Sequence, residues 1–292
     1  MNKFLKSGTT LLFAIGALTL LGGMESFRTP LLENALIGEH RTAEEQARDV
    51  HRHPSETLAF FGLDPDMHVA EIWPGGRGWY LKVIAPTLAG GSGEYYAVTP
   101  WDPASENERV QKAIENFNTN FVANKDTYGT INVSLMRGLK TDIAPASSLD
   151  MVLTFRNVHN WMTGNPDTDY SAEYMAGYFR ALKPGGILGI VEHRADPEAP
   201  IDAAASSGYV HESQVMAMAE AAGFEFVAKS DINANAKDTR DHPYGVWTLP
   251  PTLRSAGRGQ DPNPEFDHAP YNAIGESDRM TMKFRKPIPT SK

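Results

Sequence analysis

The order of apolar and helical segments along this chain predicts an α/β fold built on a doubly wound, mostly parallel sheet. Short apolar runs recur, most of them are followed by a segment of helical period, and glycine-rich or polar turns separate the two. Strands that alternate with helices in this way need cover on both faces, as parallel strands do. The 292 residues, 41% hydrophobic and 22% charged, are enough for one large domain with extensions.

Seven segments are predicted to be strands, because each is short, apolar and bounded by turn residues. The first begins at His68 and reaches Glu71, where the chain enters a turn that contains Gly75, Gly76 and Gly78. The other strands are predicted at residues 94–99, 130–136, 148–155, 187–191, 224–227 and 280–284, with helices at 79–88, 107–117, 171–182 and 213–222.

The N-terminus has the pattern of a secretory signal peptide. Lys3 and Lys6 precede an apolar run over residues 11–21, which is shorter than the roughly 20 residues that a membrane-spanning helix needs. Residues 1–25 are therefore predicted to be a signal peptide or, in the alternative, an uncleaved anchor. The first predicts a periplasmic or secreted protein and the second a protein held at the inner membrane, so membrane contact is expected only through this leader.

Three further regions follow the leader. Residues 26–61 are charged with a helical period and predict a helical cap, and residues 62–288 predict the α/β domain. An insertion at 230–278, before the last strand, has little periodicity and is rich in Asn, Asp and Pro. A segment of this length is either a functional lid or disordered, and Tyr244 and Trp247 favour a packed lid.

Composition argues against several kinds of function. The chain has no cysteine, which excludes disulfides, thiolate catalysis, zinc–thiolate sites and iron–sulfur clusters. Its net charge is −9 and it has no Lys/Arg run, so no nucleic-acid partner is expected. A metal site made of histidines alone is conceivable, but no spacing among them singles one out, and no metal is predicted.

Polar residues follow several of the predicted strands. In an open parallel sheet the carboxyl ends of the strands meet at one edge, and ligands bind there. This edge should carry the glycine turn together with residues 99–102, 156–161 and 192–194. The glycines let the backbone approach a ligand closely, and the N–H groups that start the next helix favour an anionic or polar group.

The order of these motifs resembles that of the class I S-adenosylmethionine-dependent methyltransferases over residues 54–286. The acidic residue and glycine turn at 71–78, the strand at 148–153 and the turn at 182–186 are similar to three motifs of that family. The resemblance implies a Rossmann-like methyltransferase fold and S-adenosyl-L-methionine as cofactor. Segments 155–161, 208–212 and 275–279 resemble, more narrowly, a bacterial group of predicted and often exported methyltransferases of unknown substrate.

The resemblance also implies roles for single residues. Glu71 would organise the glycine turn, and Arg156 and Asn157 would lie beside the methionine end of the cofactor. Thr99 stands where the family usually has an acid for the ribose hydroxyls, and threonine offers one hydroxyl where a carboxylate accepts two hydrogen bonds. Asp142 matches an acid near the adenine, or is an ordinary loop residue. The implied cofactor-binding residues are Glu71, Gly75, Gly76, Gly78, Thr99, Asp102, Asp142, Arg156 and Asn157.

Methyl transfer is an in-line displacement that needs alignment and, for an acceptor that carries a proton, a base. His159 and His193 follow the fourth and fifth strands and are predicted to be catalytic, with a structural hydrogen bond as the alternative for each. Trp73 and Trp161 either line an aromatic acceptor pocket or pack in the core. The charged residues 49–53 either lie over the ligand site or form a solvated helix face.

Two functions are compatible with these patterns. The first is methyl transfer from S-adenosyl-L-methionine to an unidentified small-molecule acceptor. The second is an exported, non-enzymatic ligand-binding protein that retains the fold, in which Thr99 marks a lost ribose clamp. The fold cannot separate them, because sites and not folds carry function.

Overall fold

A single seven-stranded sheet organises the computed structural model, which describes residues 29–165 and 167–290. Its strands are β1 (His68–Ile72), β2 (Glu94–Thr99), β3 (Ile131–Leu135), β4 (Leu149–Phe155), β5 (Leu182–His193), β6 (Glu225–Ser230) and β7 (Arg279–Arg285). They lie in the order β3-β2-β1-β4-β5-β7-β6, with β7 antiparallel to both neighbours and the other pairs parallel. The predicted doubly wound, mostly parallel sheet is confirmed.

The strand order reverses at β1, which lies between β2 and β4. At such a point the connections on the two sides run to opposite faces of the sheet, which opens a crevice at the carboxyl ends of the strands. We call the carboxyl ends of β1, β2, β4 and β5 the rim. The fold therefore brings the segments that were predicted to share one edge onto the rim.

Helices cover both faces of the sheet. The layer on one face contains α1, α4, α5, α6 and α7, and the layer on the other contains α8, α9 and α10. The helices of the described residues are α1 (Pro30–Ile37), α2 (Ala43–Gln46), α3 (Asp49–Arg52), α4 (Pro54–Phe61), α5 (Leu81–Ala89), α6 (Glu108–Phe117), α7 (Lys125–Tyr128), α8 (Val158–Trp161), α9 (Ser171–Ala181), α10 (Glu212–Ala221) and α11 (Ala269–Ile274).

Strand β4 is buried on both faces, as its nearly continuous apolar sequence predicts. Met151, Leu153 and Phe155 face the α4–α5 layer, whereas Leu149 and Val152 face the α9 layer. Burying each of these side chains contributes about 1.5–3 kcal/mol relative to exposure. The strand that leads to the rim is thus held firmly from both sides.

Local capping explains where the N-terminal helices begin. Thr29 Oγ1 accepts a hydrogen bond from Leu32 N at 3.2 Å, and Pro30 occupies the first position of α1. Thr42 and Glu45 form a capping box at α2. The predicted cap is largely helical where it is described, whereas residues 1–28, which include the predicted leader, lie outside the described residues.

The insertion before β7 is mostly irregular, with a 3-10 turn at Gly245–Thr248 and the short α11. It nevertheless packs on the domain, since Asn233 is buried and donates to Thr57 Oγ1 and Thr281 Oγ1 at 2.9 Å each. Its opening as a lid stays a prediction. Among the helices of the described residues, none combines the length and the apolar character of a membrane span.

Candidate functional site

Two neighbouring strands of the rim end in the same unusual conformation. Trp73 after β1 and Arg156 after β4 both have positive φ, 49° and 61°. Their backbone N–H groups donate to Val98 O and Val191 O, each at 2.7 Å, which holds the sharp turns in place. Backbone of this kind costs of order 1–3 kcal/mol per residue and concentrates at functional sites.

The glycine turn leaves part of its backbone open. A Cβ added at Gly75, which has φ +71°, or at Gly76 would meet no heavy atom within 4 Å. Gly78 has another reason to be glycine, because a Cβ there would lie 2.8 Å from the ring of Phe121. Two of the three predicted glycines therefore leave room for a ligand, and the third lets the turn pack on the helical layer.

Glu71 is buried beside β2 rather than turned toward the glycines. Its carboxylate accepts a hydrogen bond from Tyr95 OH at 2.5 Å, and none of the hydrogen bonds of the described residues joins it to the turn. Burial raises the pKa of Glu71 to about 8, although the Tyr95 hydroxyl and the charge of Arg156 act in the opposite direction. Glu71 is therefore an uncharged buried acid at neutral pH, and its role in organising the glycine turn stays a prediction.

The two candidate ribose-binding residues already have partners. The Thr99 hydroxyl donates to Ser134 O at 3.4 Å, and its side chain is almost fully buried. Asp102 accepts from Lys140 Nζ at 2.8 Å and from Ala104 N at 2.9 Å. The hydrogen bond from Lys140 is the main reason that the pKa of Asp102 is lowered. No free acid therefore ends β2 in the described part of the chain.

Asp142 lies away from the rim. Its exposed carboxylate accepts from Arg180 Nη2 at 3.2 Å and lines a groove of about 570 Å³ beside β2 and β3. The backbone of Arg180 in turn accepts from Ser147 N, just before β4 begins, so this pair lies toward the opposite edge of the sheet. This position favours the alternative of an ordinary loop residue, and the adenine role implied for Asp142 stays a prediction.

Asn157 ties the two strained strand ends together. Its Nδ2 donates to Ile72 O at 2.7 Å, across from β4 to β1, and lies 3.4 Å from Thr154 Oγ1. Asn157 is buried, so this amide holds the crevice at a fixed width. The guanidinium of the preceding Arg156 makes no hydrogen bond to any described residue.

The two predicted histidines meet a buried glutamate that sequence reasoning did not select. His159 Nδ1 lies 3.0 Å from Glu192 Oε1, and Glu192 is completely buried. Glu192 Oε1 also accepts from His193 N at 2.7 Å, while His193 Nδ1 contacts Ser277 Oγ at 2.5 Å. Burial and the neighbouring His159 lower the pKa of His193. Glu192 could have been suspected because it follows the apolar run of β5 directly.

The same three residues have the composition of a metal site. His159, Glu192 and His193 offer ligand atoms that lie within 4.8 Å of one another. Two imidazoles and a carboxylate suit zinc or iron. The positive charges of Arg279 and Arg156, however, also act on His193 and lower its pKa. These charges repel a divalent cation, so the trio fits a hydrogen-bonded histidine–carboxylate pair better than a metal centre.

Three arginines surround Glu276, and two of them, Arg52 and Arg279, are buried. We call this group the Glu276 cluster: Arg48 Nε and Arg52 Nε donate to the Glu276 carboxylate at 2.8 and 3.0 Å, and Arg279 Nη2 completes it. The interpretation of residues 49–53 as a solvated face is wrong for Arg52, which is 2% exposed. The sequence pattern singles out residues 49–53 and 275–279 separately and does not indicate that they meet in the fold.

Trp73 and Trp161 form an aromatic group with Tyr174. Their indole centroids are 6.2 Å apart and perpendicular, and Tyr174 contacts both rings. Trp161 is 2% exposed, which supports core packing for it. Trp73 is only partly buried and donates from Nε1 to Met136 O at 3.2 Å, so it also borders the crevice.

A nucleoside-bearing cofactor fits this rim through the backbone more than through side chains. The open cradle at Gly75 and Gly76 is the space that a Cβ would fill, and Arg156 nearby has free donors. Among the residues expected to contact ribose and adenine, Thr99 is buried against Ser134 O, Asp102 pairs with Lys140 and the exposed Asp142 pairs with Arg180.

Comparison with solved structures supports the fold. The [4+2]-cyclase SpnF is 16% identical, with a TM-score of 0.56, over 92% of this chain and 96% of its own. A SAM-dependent methyltransferase from Aquifex aeolicus is 16% identical with a TM-score of 0.44, over 73% of this chain and 92% of its own. A protein from Bordetella parapertussis described as a possible exported protein is 14% identical with a TM-score of 0.46, over 91% and 86%.

No family model matches the chain, and no curated protein does. The solved structures are less than 25% identical to it, so they show its fold and leave its chemistry open. SAM-dependent methyltransferases recur among them, with TM-scores below 0.5. The chain shares the overall fold of the solved cyclase, built on one seven-stranded, mostly parallel sheet.

Proposed function

We propose that the protein transfers a methyl group from S-adenosyl-L-methionine to a small-molecule acceptor. The observation that carries this proposal is the placement of an open glycine turn and a histidine–carboxylate pair on the same rim. The turn suits a cofactor that approaches the backbone, and the pair suits the removal of a proton. Neither feature alone would favour an enzyme over a packed α/β domain.

The cofactor would be held mainly by the backbone of Gly75 and Gly76, with Asn157 fixing the crevice. When bound, it supplies an activated methyl group on a sulfonium. The rim contributes alignment, because in-line displacement depends on the position of the acceptor atom. Trp73 borders the same crevice and restricts the acceptor to one side.

His159 would act as the base that takes the acceptor's proton. Glu192 accepts the hydrogen bond from its Nδ1, which leaves Nε2 unprotonated and fixes the ring. The Trp247 ring, 5.9 Å from the His159 ring, covers it from the insertion and limits access of water. His193 is held neutral by burial and by neighbouring positive charges, and it would share in orienting the acceptor.

Calorimetric titration of the full chain with S-adenosylhomocysteine tests the cofactor site. Gly75→Val should weaken binding by at least about tenfold, because a branched side chain would fill the cradle and is strained at positive φ. Gly259→Val is the matched control, since Gly259 also has positive φ and open surroundings but lies in the insertion. Equal affinity of both variants, or no binding by the wild type, would remove the proposal.

Substitution of the base tests the chemistry. His159→Ala should lower turnover by about 10²–10⁴-fold in a screen of hydroxyl, amine and carboxyl acceptors, while the affinity for S-adenosylhomocysteine stays near that of the wild type. We expect turnover to fall without a loss of affinity because His159 contacts Glu192 and Trp247 rather than the glycine turn. A parallel loss of affinity and turnover would make His159 a residue that shapes the cofactor site.

The alternative is an exported binding protein that keeps the fold without the reaction. The bound hydroxyl of Thr99 favours it, because the ribose clamp of the family is then missing. The solved structure of a cyclase with this fold also supports the view that the fold serves more than one chemistry. The titration above separates the two functions.

Export is part of the proposal. Lys3, Lys6 and the apolar run at 11–21 support a leader that carries the protein to the periplasm or beyond, with an inner-membrane anchor as the alternative. A fusion of residues 1–25 to a reporter tests this: the reporter should leave the cytosol. Its retention there would contradict export and leave the proposed reaction untouched.

A further inference from the structure

The Glu276 cluster holds more positive than negative charge. Three guanidiniums contact one carboxylate, and Arg156 adds a fourth charge: after burial itself, Arg156 is the largest cause that lowers the pKa of Arg52. Arginine stays protonated in proteins even so. Glu71, an acid on which the charge of Arg156 acts, has a pKa of about 8 and is uncharged at neutral pH, whereas the buried carboxylate of Glu192 lies against His159 and the backbone of His193.

Several donors of this group have no partner among the described residues. Arg156 makes no side-chain hydrogen bond, and Arg279 Nε is buried without one. Arg52 donates only from Nε, while its guanidinium packs over the Trp79 ring, 4.6 Å from the centroid. The unpaired N–H groups therefore belong to the arginines whose positive charges outnumber the nearby carboxylate.

Such an arrangement is unfavourable in the free protein. Buried charges in proteins are normally paired, since an unpaired charge loses its hydration without compensation. The pKa of Glu276 illustrates the excess: burial would raise it, yet the charges of Arg279, Arg52 and Arg156 lower it. Strain that persists beside a crevice indicates a ligand that supplies the missing charge.

The position of the cluster identifies which ligand this is. Arg279 begins β7 and pairs with His193 of β5, and Arg156 follows β4, so both adjoin the histidines. The positive charges of Arg279, Arg156 and Arg52 all act on His193. An anion bound here would lie next to the proposed base, on the side of the rim where the acceptor must be.

We propose that the acceptor carries an anionic group, a carboxylate or a phosphate, that Arg156 binds together with Arg52 and Arg279. The identification of this anion as the acceptor rests on the proposed function, whereas anion binding by the cluster does not. Selectivity follows from the charges: a neutral compound of the same shape leaves the unpaired guanidiniums buried and gains no charge-assisted hydrogen bonds. The site would therefore discriminate in favour of acids.

The stability of Arg156→Met tests anion binding without any cofactor. In the full chain, this substitution should raise the unfolding midpoint of the free protein by about 2 °C, because it replaces a half-buried charge that has no partner among the described residues by an apolar side chain of similar volume. Benzoate and inorganic phosphate should stabilise the wild type and fail to stabilise the variant. Arg180→Met is the matched control, since Arg180 is exposed and paired with Asp142, and the probes should still stabilise it.

Three results would overturn the inference. The first is an Arg156→Met protein that is less stable than the wild type, with the response to benzoate and phosphate unchanged. The second is an equal response of the wild type to benzoate and to its neutral counterpart benzamide. Arg156→Lys keeps the charge, so it should remain as unstable as the wild type and respond to the anions; a Lys variant that behaves like Met would also contradict the proposal.

A further titration separates the acceptor from the cofactor's own carboxylate. Arg156→Met should change the affinity for S-adenosylhomocysteine and for 5′-methylthioadenosine, which lacks the amino-acid part, by less than about twofold. A selective loss of S-adenosylhomocysteine binding would assign the arginines to the cofactor and overturn the acceptor proposal. If neither nucleoside binds even the wild type, the proposed function fails, while anion binding is judged by the stability measurements alone.

Discussion

Two carboxylates that are two residues apart lie in opposite charge surroundings. Glu276 and Asp278 are both almost completely buried. Glu276 is outnumbered by the arginines around it, whereas Asp278 belongs to a group with at least as many acids as bases. We call that group the Asp278 cluster: Asp278 accepts from Arg194 Nε at 2.9 Å and Arg240 Nη2 at 2.6 Å.

The Asp278 cluster has the pattern of a structural network. Arg194 also reaches Asp231 at 2.8 Å and Glu212 at 3.3 Å, and its hydrogen bond to Asp278 raises its pKa. Asp278 further accepts from Asn235 N at 2.8 Å, which fastens the insertion to β7. Both clusters are charged and contain buried side chains, so these two properties do not indicate a binding site. The Glu276 cluster differs in its excess of positive charge beside the rim, and this excess indicates one.

The largest expected effect comes from removing the lone acid of the unbalanced cluster. Glu276→Gln should lower the free energy of unfolding by about 3–5 kcal/mol, because the buried guanidiniums of Arg52 and Arg279 and the partly exposed one of Arg48 lose the carboxylate that pairs with them among the described residues. Asp278→Asn should cost less, since Arg194 keeps Asp231 and Glu212. Urea unfolding of both variants measures the contrast, and an equal cost for the two would remove the distinction between the clusters.

The second-largest expected effect is the change of stability with pH, which tests whether Glu71 carries a charge in the folded protein. The pKa of Glu71 rises from its ordinary 4.5 to about 8 in the folded protein, chiefly through burial. Between these values the folded state holds a proton that the unfolded state has lost, so the stabilisation present below pH 4.5 declines as pH rises toward 8. From pH 5.5 to 7.5 the wild type should lose about 2–3 kcal/mol relative to Glu71→Gln.

Unfolding of Glu71→Gln and the wild type at several pH values checks this directly. Parallel curves for the two proteins across that range would mean that Glu71 is ionised in the folded protein. The charge of Arg156 would then have a counter-ion, and the excess in the Glu276 cluster would be smaller than we infer.

The smallest of the three effects concerns the balanced cluster. Arg240→Met should destabilise the protein by about 2 kcal/mol, because its charge-assisted hydrogen bonds to Asp278 and to Arg194 O are lost. This is opposite in sign to the gain expected for Arg156→Met. A thermal unfolding series on the two variants measures both, and a stabilising Arg240→Met would contradict the interpretation of the Asp278 cluster as structural.

The strands could be predicted because the patterns that indicate a strand lie within a short segment of the chain. β4 is apolar along its length and β1 ends at a glycine turn, so periodicity and turn residues suffice to place both. The predicted helix at 79–88 instead begins at Leu81, since residues 75–80 all belong to the turn. Propensity does not reveal how far a glycine turn extends.

The candidate site was only partly predictable. His159 and His193 were selected because they follow adjacent strands, and the structure brings them together, though their catalytic role stays a prediction. The motifs did not indicate that Glu71 pairs with Tyr95 or Asp142 with Arg180, because a motif gives a position along the chain and not the direction of a side chain. Glu192 was overlooked as a partner for the same reason.

The sequence by itself determined the class of the fold and the edge of the sheet on which a site would lie, because alternating strands and helices with polar strand ends admit few other arrangements. Only the tertiary structure decided which charges are paired. Arg52 and Glu276 are 224 residues apart and meet in the interior, where removal of water makes their imbalance matter. No local sequence pattern indicates the balance of positive and negative charge in this cluster, because its side chains come from the cap, the end of β4 and the start of β7.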